Sequence, residues 1–312
     1  MNRVVVKAPA TIANFGPGFD TFGLCLNAPY DIVEAESTDR RGITITQKIV
    51  ETDAPDDSWR IPMDPSKNTA GVAASELLIN SGKKIGVKMT ITKGIRPGSG
   101  LGSSAASAVG GALAVASLLG IRNRKTILAA AAKGEAASSG APHLDNVSPC
   151  LFGGFTVVID HSRMEVLRIK PPKMKIVVCQ PSIVIQTARA RELIPENVPT
   201  KTSVAHSGWA SGIVYGMKSN DVKLIARCLR DEIAVPARKS LIKGFDEVER
   251  AALRAGALSF SISGSGPAVY SLALKNHEKI GRAMVAAFKN AGVEAEFFIS
   301  SPGNGAKVIK KE

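Results

Sequence analysis

Lys93-Gly94-Ile95-Arg96-Pro97-Gly98-Ser99-Gly100-Leu101-Gly102-Ser103-Ser104-Ala105-Ala106-Ser107 is the stretch around which the chain is organised. A strand-like lead-in over 87–92 meets Pro97 and three alternate glycines, then enters a long helix with no acidic side chain in its first turns. Glycines let the backbone bend and approach a ligand closely. Ser103, Ser104 and the next residues add free N–H groups and the positive end of a helix dipole, which together make an anion site. The spacing excludes two well-known loops. A Walker A loop needs Gly-Lys-Ser/Thr, whereas Gly102 is followed directly by Ser103, and a Rossmann turn beginning at Gly98 and Gly100 needs a third glycine where Ser103 stands.

The composition narrows the classes. The chain has 312 residues, 45% of them hydrophobic and 21% charged, enough to bury a sizeable core in one large or two ordinary domains. Lys and Arg number 40 against 27 Asp and Glu, a net charge of +13 that suggests anionic ligands or a nucleic-acid surface. There is no run of five basic residues and aromatics make up only 5%, which disfavours a dedicated nucleic-acid platform. Cys25, Cys150, Cys179 and Cys228 are widely spaced with no Cys-x-x-Cys, against both a disulfide framework and a thiolate metal site and in keeping with a reducing cytoplasm. Met1-Asn2-Arg3 leads straight into Val4-Val5-Val6, a strand rather than a signal peptide, and the uncharged 101–121 stretch is too rich in Gly, Ser and Ala to be read as a membrane span.

Several further segments collect polar groups. The loop 9–24 holds two prolines and three glycines and presents Asn14 and Asp20, either as turn residues or as ligand groups. Residues 30–36 and 42–49 read as a hairpin, followed by an acidic loop over 51–58. Asn68 opens a helix as its N-cap, and Gly82 follows its end. On a later helix, Ile127, Ala131 and Glu135 share one stripe, so the Glu135 carboxylate sits among apolar residues and needs a partner. His143, Asp145 and Asn146 crowd together before Gly153-Gly154. From Lys175 the expected order is strand, a helical stretch over 188–249, two strands, a helix and a strand, which approaches a split βαβ of ferredoxin-like type. Within it lie Arg189, Arg191 and Arg238, together with a glycine turn, Ser261-Ile262-Ser263-Gly264-Ser265-Gly266-Pro267.

The run from Pro97 through Gly-Leu-Gly-Ser-Ser-Ala-Ala resembles the central phosphate loop of the GHMP small-molecule kinases, named for galactose, homoserine, mevalonate and phosphomevalonate kinases. Ala13-Asn14-Phe15-Gly16-Pro17-Gly18-Phe19-Asp20-Thr21-Phe22-Gly23 is similar to the N-terminal motif of the members acting on homoserine, and the 261–268 turn is similar to the third family motif. The resemblance implies an α+β fold, with a ribosomal-protein-S5-like nucleotide domain over 1–170 and a ferredoxin-like domain over 171–312 completing the acceptor site. It further implies an ATP-dependent phosphotransferase of amino-acid biosynthesis in the cytoplasm, with L-homoserine as acceptor and ATP and Mg²⁺ as cofactors. Carried over position by position, Asn68, Pro97, Gly98, Ser99, Gly100, Leu101, Gly102, Ser103 and Ser104 would hold ATP, while Glu135 with Ser103 or Ser104 would hold Mg²⁺. Asp20 would take the ammonium group, with Arg191 and Arg238 on the carboxylate, and Gly264 would close the site. Asn14, His143 and Asn146 would surround the reacting hydroxyl. Asp145 matches the proposed base of the mevalonate-acting members, whereas the homoserine-acting ones are thought to manage without a base. Acceptors such as mevalonate or shikimate, or a non-catalytic nucleic-acid binder, are the alternatives, and a homodimer is left open.

Overall fold

The computed structural model describes residues 2–49 and 57–312; most of the acidic loop expected over 51–58 lies outside them. The chain opens with β1 (Arg3–Ala13), β2 (Phe22–Thr38), β3 (Gly42–Ile49), α1 (Thr69–Ser81), β4 (Gly86–Lys93), α2 (Ser103–Leu119), α3 (Arg124–Ser139), α4 (Leu144–Phe152), β5 (Phe155–Asp160) and β6 (Glu165–Ile169). It continues with β7 (Lys175–Pro181), α5 (Thr187–Glu192), α6 (Thr200–Ser219), α7 (Val222–Cys228), α8 (Ala234–Arg238), α9 (Phe245–Arg254), β8 (Ser259–Ile262), β9 (Val269–Ala273), α10 (His277–Asn290), β10 (Ala295–Ser300) and β11 (Lys307–Lys311).

One sheet runs β11-β1-β2-β4-β3, with β5 and β6 continuing from the other end of the long β2. The second runs β10-β7-β9-β8, all antiparallel. With α10 between β9 and β10, and the helices α5–α9 between β7 and β8, this is the split βαβ order, and the whole is α+β as expected. The last strand does not stay with the second sheet. β11 crosses back to pair with β1, Val6 opposite Val308.

The expected hairpin of 30–36 with 42–49 is not formed. β4 enters between the two strands, antiparallel to β2 and parallel to β3. The reason lies in the intervening chain: β3, α1 and β4 form a crossover unit, and a parallel pair needs such a connection so that its helix can cover the sheet. The single helical stretch expected over 188–249 is likewise broken into five helices, where Pro195, Pro199 and the left-handed Asn220 interrupt it.

α2 lies against β1 and β2 on one side and α1 and α3 on the other, and nearly every residue of it is buried. Its Ala-rich sequence favours helix, and small side chains permit this close packing. A Cβ at Gly110 would come within 2.4 Å of Val33, and one at Gly111 within 2.7 Å of the Ala70 carbonyl. Bulk at either glycine would push the helix off its neighbours. Among the described residues no helix is long and apolar enough to cross a membrane.

Candidate active site

A cavity of about 660 Å³ opens where the start of α2 faces the ends of α3, α4, α5 and α8. The phosphate loop forms one wall. Gly98, Gly100 and Gly102 all have positive φ, between 69° and 80°. At Gly102 a side chain is excluded twice over, because a Cβ would lie 2.1 Å from the Thr11 hydroxyl as well as requiring left-handed backbone. Thr11 in turn donates through Oγ1 to Asn146 Oδ1 at 2.8 Å, tying β1 to α4 directly beneath the loop.

The loop is braced from the second sheet by the glycine turn. Ser263 Oγ donates to the Gly100 carbonyl at 2.7 Å, the Ala268 amide to the Ser99 carbonyl at 3.0 Å, and the Gly264 amide to the Ala13 carbonyl at 3.1 Å. The third motif thus touches the backbone of the other two.

Beneath α2 lies a group the sequence reading did not single out. Lys93 and Asp31 are an ion pair with no solvent exposure. Lys93 Nζ also donates to the Ser103 carbonyl and to Ser107 Oγ, both at 3.1 Å, while Asp31 Oδ1 accepts the amides of Gly94 and Ile95 at 3.0 and 3.1 Å. The pair therefore ties both ends of the loop to β2. The available signal was a charged residue inside each of two apolar strands, since buried charges require partners.

The two serines separate clearly. Ser103 Oγ donates to the Ile95 carbonyl at 2.8 Å, a bond internal to the loop. Ser104 Oγ donates to Glu135 Oε1 at 3.0 Å, and the same oxygen is 3.4 Å from His143 Nδ1. Glu135 is only 3% exposed, so its carboxylate sits in the cavity wall where burial raises the value of any cationic partner. Burial alone would lower the pKa of His143, but the bond to Glu135 and the nearby charge of Asp145 outweigh it and hold the imidazole above its ordinary range. Asp145, fully buried, is pushed up to about 7 by burial and then by the charge of Asp20, and its Oδ1 has no hydrogen-bond partner among the described residues.

The opposite wall is cationic. Arg238, at the end of α8, is 3% exposed and donates through Nε to the Ala190 carbonyl and through a terminal nitrogen to the Gly264 carbonyl, both at 3.0 Å. Burial lowers its pKa from the usual arginine value. Arg191 on α5 forks onto Asp20, with one of its two bonds at 3.2 Å. Both guanidinium groups lie near the Phe19 ring, 5.1 and 5.7 Å from its centroid. Asn14 Oδ1 accepts the Asp20 amide at 2.8 Å, and both residues adopt left-handed backbone. Asn14 is thus a turn residue as well as a cavity residue.

Asn14, Asp20, Asn68, Pro97, Gly98, Gly100, Gly102, Ser103, Ser104, Glu135, His143, Asn146, Arg191, Arg238 and Gly264 all line this one cavity. Ser99 and Leu101 do not. Their side chains are buried below the loop, and their carbonyls take bonds from Ala268 and Thr11. Asn68 also caps α1 through Oδ1, accepting from the amides of Ala70 and Gly71. Thr187 joins the lining unanticipated, with its hydroxyl 3.4 Å from that of Ser265.

Residues 68–154 match the family model for the GHMP kinases N terminal domain, and residues 213–290 that for the GHMP kinases C terminal domain. A homoserine kinase of Pyrococcus abyssi is 41% identical over 302 residues, covering 97% of this chain and 98% of its own. One from Methanococcus maripaludis is 42% identical over 279 residues, covering 89% and 90%. The crystal structure of homoserine kinase from Cytophaga hutchinsonii superposes with a TM-score of 0.91 at 38% identity, covering 98% and 97% of the two chains. A mevalonate kinase from L. major shares the fold at a TM-score of 0.73 and 15% identity, covering 96% and 95%. Both family models, the full-length relatives and the architecture agree: the chain belongs to the GHMP kinase family.

Proposed function

We propose that the protein transfers the γ-phosphoryl group of ATP to the side-chain hydroxyl of L-homoserine, giving O-phosphohomoserine. The observation that carries this is one cavity with a phosphate loop at one end and Asp20, Arg191 and Arg238 at the other. A zwitterionic amino acid needs both an acid and a carboxylate-binding fork, and arginine suits the carboxylate bidentately. The similarity to homoserine kinases points the same way.

In this reaction the amides after Gly102 and the α2 N-terminus bind the phosphates, so most of the catalysis is positioning and charge neutralisation. Ser104 and Glu135 would hold Mg²⁺, and their 3.0 Å approach in a buried wall suits a hard cation taking one carboxylate, one hydroxyl and substrate oxygens. When bound, the metal neutralises charge on the β- and γ-phosphates. Ser103 is not assigned as a ligand, because its hydroxyl is committed to Ile95. Asn14, His143 and Asn146 orient the acceptor hydroxyl. The segment up to residue 170 supplies the nucleotide side, and the segment from 171 brings Arg191, Arg238 and Gly264 to the acceptor.

An ADP-release assay with L-homoserine, mevalonate and shikimate tests the assignment. Turnover with homoserine at least a hundredfold more efficient than with the other two is expected, because neither of those offers Asp20 an ammonium group. Comparable turnover of mevalonate would overturn it.

A further inference from the structure

A second cavity, of about 430 Å³, lies at the seam between the two sheets and shares no lining residue with the first. Its walls come from Gly154, the connection 168–175, the turn between β9 and α10, and residues 301–304. Arg168, Lys170, Lys173, Lys175 and His277 line it, and no carboxylate does. Buried Met174 and Pro172 supply an apolar floor.

Among the described residues, Arg168, Lys170, Lys173 and Lys175 make no ion pair, so their charges face the cavity without a neighbouring carboxylate. Arg168 is held in place rather than left loose. Its Nε donates to the Gly153 carbonyl at 3.0 Å, which fixes the guanidinium plane, and its two terminal nitrogens have no acceptor among the described residues. The neighbouring backbone is equally set, with the Gly154 amide on the Gly303 carbonyl at 2.8 Å. A concave wall of like charge focuses the field and concentrates anions, and a volume of this size suits a small ligand rather than a side chain.

We infer that this cavity binds a small phosphate-bearing anion, of about the size of a sugar phosphate or nucleoside monophosphate. The Arg168 guanidinium takes the phosphate through its two free nitrogens, Lys170 and Lys173 close over it from the rim, and Met174 and Pro172 accept the uncharged part. Such a site is separate from the nucleotide site proposed above and does not depend on the acceptor assigned there.

The test is calorimetric titration of inorganic pyrophosphate into the whole protein, saturated with ADP in metal-free buffer so that the phosphate loop is already filled. One further equivalent is expected to bind to the wild type. Affinity should fall at least tenfold in Lys170→Ala/Lys173→Ala, whose exposed side chains carry no packing, and further in Arg168→Ala. The KM for ATP of the lysine variant should equal that of the wild type. Absence of a second equivalent, or equal affinity in the lysine variant, would overturn the inference. A short oligothymidylate is the control: if it binds and loses affinity on the same substitutions while pyrophosphate does not bind, the face is a nucleic-acid surface instead.

Discussion

At the scale of single residues, the site is defined by charges held where water cannot help them. Asp145 shows the consequence most directly. Its carboxyl, at 3.8 in an unperturbed setting, is raised to about 7 by burial and by Asp20. A raised carboxyl pKa means that the native state holds the proton more tightly than the unfolded chain. Below about pH 4 both states are protonated and the group costs nothing. As pH rises from 4 through 7, the unfolded chain ionises freely while the native state resists, so stability falls. Asn at this position cannot ionise. Asp145→Asn should therefore melt close to the wild type at pH 4 and several degrees above it at pH 8, as read by differential scanning calorimetry. A difference that shrinks towards pH 8 would contradict the assignment of burial as the cause.

At the scale of elements, the phosphate loop is a strand-to-helix turn whose two ends are pinned to β2 by Lys93 and Asp31. Removing one partner of a buried pair leaves an uncompensated charge, at a cost of about 3–5 kcal/mol. Lys93→Met should lose stability on that scale by urea denaturation and should weaken ADP binding, since the Ser103 carbonyl and the Ser107 hydroxyl lose their donor and Asp31 is left as an uncompensated buried charge. Asp31→Asn/Lys93→Met should be less damaging than the sum of the two single changes, because residues in one network are not additive. An additive double variant would show the pair to be unimportant for the loop. The glycine and serine chemistry of this turn was legible in the sequence. The pair beneath it was not, because Asp31 and Lys93 are 62 residues apart and meet only when β2 and β4 align Ile32 with Thr92.

At the scale of the whole molecule, the proposed acceptor end exists only because α5 and α8, inserted between strands of the second sheet, meet the 14–20 loop of the first. Arg191 and Asp20 pair across that junction, and in the proposed function a zwitterionic acceptor exchanges with both partners at once. An acceptor bearing only a carboxylate would satisfy Arg191 and leave Asp20 exposed to unpaired charge. Charge-assisted hydrogen bonds contribute about 1.5–3 kcal/mol. Asp20→Ala and Arg191→Ala should therefore each raise the KM for homoserine roughly 10- to 100-fold with little change in the KM for ATP, measured by steady-state kinetics. An equal loss in both constants would place these residues elsewhere in the mechanism.

Local chemistry alone determined the glycine turn into α2, the caps at Asn68 and Gly82, and the buried position of Glu135, because turn glycines, capping oxygens and helical stripes act over a few residues. The distinction between Ser103 and Ser104 was invisible there, since both sit at the same helix start and only the approach of Ile95 and Glu135 separates them. The hairpin expected from proximity gave way to a crossover in which β4 separates β2 from β3. Long-range pairing also decided the return of β11 to β1 and the union of Asp20 with Arg191, 171 positions apart. Such contacts depend on how two sheets bury their apolar faces against shared helices, and no short stretch of sequence carries that information.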